Sequence, residues 1–228
     1  MTEPQRRGSR FLELVDVMDR LRSPGGCPWD GEQTHASLVK YLLEEAYETA
    51  EAVEDADDVA LREELGDVLL QVVFHARIAQ ERPADGWDID DVAAGIIDKL
   101  VRRHPHVFAG AQADTAGDVA ANWEKLKAAE KGRTSAADGV PMAQPALALT
   151  SALLGRSARA GIEITVPTTI ERPDKVDEVS VGRLLLAVVA LARESGVDAE
   201  AALRAAARDL RREIVSLETG AQVPNRSD

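Results

Sequence analysis

Every long segment of this chain spaces its apolar residues three and four apart, the period of a helix and not of a strand. Phe11, Leu14, Val15, Met18 and Leu21 share one side of FLELVDVMDRL. The same period runs from Thr34 or Ser37, either suited to cap a helix, to Ala52–Val53. It returns over residues 59–80, 89–103, 119–131, 146–160, 176–195 and 198–218. Pro and Gly mark the breaks: SPGGCPWD at 23–30, RPADGWDID at 82–90, Pro105, and GRTSAADGVPMAQP at 132–145. GIEITVP is a candidate strand, and Pro167 limits it. The expected fold class is all-α. Apolar residues make up 45% of the 228, ample for a core, but aromatics only 4%, so Leu, Val, Ala and Ile must fill it.

Two of these helices carry acids one turn apart. Glu44, Glu45 and Glu48 lie in LLEEAYETAEAVE; Glu64 and Asp67 lie in LREELGDVLLQVVFHA. Glu45 with Glu48, and Glu64 with Asp67, each project two carboxylates from one stripe. Like charges at that spacing destabilise a bare helix. A solvated face also looks like this, and for the first segment alone the two readings balance. The second segment shifts the balance, because Val68, Leu69, Leu70, Val72, Val73 and Phe74 predict a helix buried on most sides. Buried carboxylates need partners. Hard divalent cations take oxygen ligands, and Mg2+ pairs carboxylates with substrate phosphates.

The formal net charge of −13 argues against a general nucleic-acid binder. It leaves a nucleotide substrate open, since a bound metal inverts the local sign. The lone Cys27 has no partner for an intrachain disulfide, which fits a reducing compartment. No apolar run reaches membrane-spanning length, and MTEPQRRGSR lacks the apolar core of a secretory signal. The expectation is a cytoplasmic protein with no membrane partner.

ELGDVLLQVVFHAR, Glu64 to Arg77, recurs as SVGRLLLAVVALAR, Ser180 to Arg193. The apolar frame is kept, but Ser180 stands for Glu64 and Arg183 for Asp67, and no EExxE precedes them. The second half is expected to be a packing or regulatory unit unable to hold Mg2+.

The ordered set GGCPWD (25–30), EQTH (32–35), YLLEEAYE (41–48), REELGDVLLQVVFHA (62–76), RRHPHVF (102–108), NWEKLK (122–127) and DGVPMAQPAL (138–147) resembles the MazG family of nucleoside triphosphate pyrophosphohydrolases. That resemblance implies a four-helix-bundle-like catalytic module that dimerises and hydrolyses NTPs or dNTPs to the monophosphate and pyrophosphate. A house-cleaning role on non-standard or damaged nucleotides is plausible by family. The domain expectation is a disordered N-terminus over 1–10, a catalytic MazG module over 11–131, a linker over 132–145, a degenerate second module over 146–218, and a disordered tail over 219–228.

By family position Glu45, Glu48, Glu64 and Asp67 are the expected Mg2+ ligands, with Mn2+ able to substitute. Glu44 is a fifth acid that either binds metal through water or acts as base on the attacking water. Polyphosphate needs cations too. Lys99 and Arg103 lie four apart with Arg102 beside them, and Arg suits bidentate phosphate contact. Trp123 is a candidate to stack on the base and Lys127 to reach a phosphate; Lys40 is a weaker phosphate candidate. The alternatives are a dipole-complementing basic turn for the first group and a core anchor for Trp123. Two rival functions stand beside the enzyme: a non-catalytic nucleotide-sensing module, and a carboxylate di-iron or di-manganese bundle. The last needs two Glu-x-x-His motifs, and only EQTH supplies one.

Overall fold

The structure, a computed structural model, describes residues 7–110, 115, 117, 119, 123, 135–167, 170, 173 and 175–219. Lys127, most of the expected helix at 119–131, most of the N-terminal tail and the tail after Thr219 lie outside these. Among the described residues every regular element is a helix, and GIEITVP forms no strand. The chain divides into two compact units, Met1–Leu126 and Lys127–Asp228.

The first unit is built on a helical hairpin. α1 (Ser9–Arg22) ends where SPGG follows. The Cys27 N–H donates to the Leu21 carbonyl at 2.8 Å. A Cβ on Gly26 would run into that same carbonyl oxygen, so only glycine fits the turn. CPWD is not merely a break: Pro28 sits at the start of a short helix, α2 (Pro28–Glu32). α3 (His35–Glu54) opens on a capping box in which Thr34 accepts from the Ser37 N–H and Ser37 from the Thr34 N–H. Both cap candidates therefore act together. Asp57 caps α4 (Asp58–Gln80) by accepting from Val59 and Ala60. α5 (Ile89–Arg103) starts on an Asp88–Asp91 capping box, and Pro105 opens the four-residue α6 (Pro105–Phe108).

Met18, Leu38, Val73 and Phe74 form the buried core of this unit, from α1, α3 and α4, with Phe11, Leu14, Tyr41, Leu70, Ile78 and others packed around it. Arg22 fastens the ends. Its guanidinium lies over Phe74, donates to the carbonyls of Asp30 and Gln33, and meets the Glu81 carboxylate with two bonds of 2.8 Å.

α4 corrects one expectation. Gln71, Val73, Phe74, Ala76 and Ala79 are buried, but Val59, Leu65, Leu69 and Val72 each keep more than a third of their surface open. The helix packs α3 and α1 on one side and leaves another open among the described residues.

The second unit contains α7 (Ala146–Arg159), α8 (Glu178–Glu194) and α9 (Ala199–Thr219), which pack on one another. Residues 135–145 fold onto α7: Val140 is buried, and Arg156 donates to the carbonyls of Asp138 and Gly139. An Asp177–Ser180 capping box starts α8.

Candidate functional site

The antiparallel pairing of α3 with α4 decides which acids meet. Glu45, Glu48 and Glu64 each offer a carboxylate oxygen, and the three oxygens lie within 4.8 Å of one another. Among the described residues they are the one such group of three His, Cys, Asp or Glu. Glu45 and Glu64 are half-buried; Glu48 is exposed. Asp67, half-buried one turn beyond Glu64, falls outside the three-oxygen group but acts on it through its charge.

Electrostatics show the cost of this convergence. The Glu45 carboxyl is pushed above its ordinary value by burial, then by the charge of Asp67, by a hydrogen bond its protonated form donates to Glu48, and by the charges of Glu48 and Glu44. Burial raises Glu64 as well, followed by the charges of Glu48, Asp67 and Glu63. Hard oxygen donors that repel one another across two helices fit a small divalent cation, whose charge offsets each of those repulsions. Glu44 is exposed beside the cluster and adds to its negative field.

The basic candidates divide. Lys40 is exposed, with its ammonium 4.5 Å from the Tyr41 ring centre. Lys99 and Arg102 are exposed on α5. Arg103 is only 6% exposed, and its guanidinium stacks 4.9 Å from the half-buried Trp123 ring. His104 meets the same indole edge-on at 5.1 Å and shares a 2.7 Å hydrogen bond with the Leu100 carbonyl. Arg103, His104, His106 and Trp123 are thus one packed cluster, a relation that residue spacing alone does not reveal. In the second unit, Ser180 serves as a helix cap, and it lines a cleft with Lys175, Asp177 and Arg183. One carboxylate is a poor cation site.

EQTH supplies His35 at the start of α3, and the apolar run of α4 carries His75. The structure pairs them, Nδ1 to Nδ1, at 2.8 Å. The available signal was the hairpin register: if Glu45 faces Glu64, then His35 falls opposite His75.

Residues 33–108 match the MazG nucleotide pyrophosphohydrolase domain. An uncharacterised 26.1 kDa protein of Streptomyces cacaoi is 50% identical, over 92% of this chain and 84% of that protein. The Thermotoga maritima nucleoside triphosphate pyrophosphohydrolase/pyrophosphatase MazG is 42% identical, over 88% of this chain and 82% of its own. The nucleoside triphosphate pyrophosphohydrolase of Escherichia coli K12 is also 42% identical, over 90% and 86%. With its carboxylate hairpin inside the matched segment and relatives spanning nearly its full length, the chain belongs to the MazG family of nucleotide pyrophosphohydrolases.

Proposed function

We propose that this enzyme hydrolyses NTPs or dNTPs to the monophosphate and pyrophosphate with Mg2+ held by Glu45, Glu48, Glu64 and Asp67, and with Mn2+ able to replace it. The observation that carries this reading is the meeting of three carboxylates from two helices inside 4.8 Å. When bound, the cation supplies Lewis-acid polarisation of phosphate oxygens and a more acidic water. The chain's own work is placement and charge balance. Water oxygen bonds to the α-phosphorus as the bridge to the β-phosphate breaks, and pyrophosphate leaves with the bridging electrons. Glu44, exposed beside the ligands, takes the water's proton. Lys99, Arg102 and Lys40 offer cations to the departing phosphates. The Arg103–Trp123 stack supports an indole held in one orientation for a base; Lys127, four residues later in the sequence, is the candidate for a phosphate contact.

The carboxylate di-iron rival loses ground on one observation: the carboxylate group of Glu45, Glu48 and Glu64 includes no histidine, whereas a di-iron site takes one from each of two Glu-x-x-His motifs. Exposed apolar stripes on α3 (Val39, Leu43, Tyr47) and α4 (Leu65, Leu69, Val72) support a homodimer. Among the described residues no helix is long and apolar enough to cross a membrane. A cytoplasmic house-cleaning role on non-standard nucleotides is the part of this reading that a substrate panel addresses.

Ordinary and modified NTPs and dNTPs, assayed for pyrophosphate release with Mg2+, test the proposal. The expected result is metal-dependent release, lost on chelation and restored by Mg2+. Nucleotide binding without turnover under every metal condition would hand the case to the sensing module.

A further inference from the structure

His35 is the first residue of α3, and His75 lies near the end of α4. Their Nδ1 atoms are 2.8 Å apart, their ring centres 5.1 Å, and their planes differ by 5°. Face-to-face rings would not bring two nitrogens so close with centres so far apart. The difference between the two distances is taken up by the two centroid-to-nitrogen radii, so the rings lie edge to edge in nearly one plane. Trp87, from the loop before α5, packs 6.2 Å from the His35 ring at 21°. The far nitrogens, Nε2 of both histidines, are buried without a hydrogen-bond partner.

Proton counting follows from this geometry. One Nδ1 must donate and the other accept. The neutral pair holds one shared proton and one Nε2–H. A first extra proton completes the second Nε2–H and leaves the shared bond intact. A further proton puts two N–H groups head to head at 2.8 Å, which no hydrogen bond survives. Burial, then the charge of His35, already hold His75 below its ordinary value. No carboxylate among the described residues is a cause of that shift. On α4, Arg77 is paired with Asp19 and Glu81. In the loop, Asp88 gives its carboxylate to the N–H groups of Asp90 and Asp91. On α3, Lys40 lies over Tyr41, and Glu32 of α2 is exposed.

The same helix pair carries the metal candidates. Glu45 lies ten residues along α3 from His35, about 15 Å of helix, and Glu64 lies eleven before His75. Asp67, Gln71 and His75 are spaced by four, hence on one stripe of α4. Gln71 is buried with its Oε1 unpartnered.

We propose that His35 and His75 are a proton-sharing pin. With at most one net charge the pair fastens the first turn of α3 to α4 and holds Glu45 and Glu48 in register with Glu64. A second net charge parts the rings and slackens the carboxylate cluster. The pin stands on its own; its effect on the cluster rests on the metal-site reading.

Nitrogen-edited NMR of the imidazoles in the metal-free full-length chain, taken from about pH 8 to about pH 4.5 across the usual histidine range, tests the pin. The pair should take up protons in two coupled steps, the second displaced to lower pH. Replacing either one by glutamine should leave the other with a single step. Mn2+ affinity, measured from free-ion resonance, should weaken through the wild-type second step. In His35→Gln and His75→Gln it should be about fivefold lower at neutral pH, the low end of ordinary site coupling, without that inflection. Independent single steps in the wild type overturn the pin, whether or not the variants fold. Coupled steps with unchanged Mn2+ affinity in both variants overturn the link to the cluster. No Mn2+ binding by the wild type at any pH overturns the metal reading alone, and the titration still decides the pin.

Discussion

Glu64 sits where burial and repulsion among carboxylates cost the metal-free fold. Its carboxyl is raised by burial and by neighbouring negative charge. The folded state therefore binds a proton that the unfolded state has released, in the window between the ordinary glutamate pKa and the raised one. Metal-free stability falls as pH rises through that window, and the cost stays in full at neutral pH. Glu64→Gln removes the charge and keeps the shape. It should raise the metal-free melting temperature at pH 7 and abolish the further rise that Mg2+ gives the wild type. Pyrophosphate release should drop by at least about 100-fold, the scale of losing one group aimed at reacting charge. Calorimetry with and without Mg2+, beside the activity assay, reads all three. A variant that melts lower than wild type without metal would show that Glu64 stabilises the fold and that its favourable contacts outweigh the repulsion.

Elements are held by fewer contacts than the long helices suggest, and Arg22 carries several of them. Its buried guanidinium joins the end of α1 to α2, to the segment before α3, and to Glu81 just past α4. Arg22→Met keeps the packing against Phe74 and removes the bonds. Breaking a buried pair costs about 3–5 kcal/mol, but Glu81 is 38% exposed and keeps Arg77, so about 2 kcal/mol is expected after solvent screening. Arg22 holds the Glu81 carboxyl below its ordinary value. That contribution is present above the unfolded glutamate pKa and is lost as pH falls through the folded one. Urea titrations should show the gap between wild type and variant widest at neutral pH and narrower in acid, where only the bonds to the Asp30 and Gln33 carbonyls still separate them. Helix positions were legible in the sequence because caps and breakers act locally: Thr34, Ser37, Pro105 and Gly26 do their work within a few residues. The carboxylate cluster was legible because two local stripes needed only one antiparallel pairing. Arg22–Glu81 and Arg103–Trp123 were not. Each joins residues whose separation is set by tertiary packing, and no period within a helix encodes it.

For the whole molecule, the surface left open matters as much as the core. Leu65, Leu69 and Val72 form a stripe on α4, and the internal repeat places Val181, Leu185 and Val188 at the same positions on α8. All six keep over a third of their surface exposed. Burying one such side chain is worth about 1.5–3 kcal/mol, so a stripe repeated on two protomers across a twofold axis can supply a stable contact. The acids flanking the first stripe are the metal candidates, so a dimer on α4 would enclose the site; the alternative is a dimer on α8. Leu69→Glu separates these cases. If α4 makes the dimer, sedimentation of this variant should report a monomer with unchanged helix content, and Mg2+-dependent turnover should fall with it. Leu185→Glu should leave both intact. Dissociation by Leu185→Glu alone would move the interface to the second unit and assign that unit to assembly.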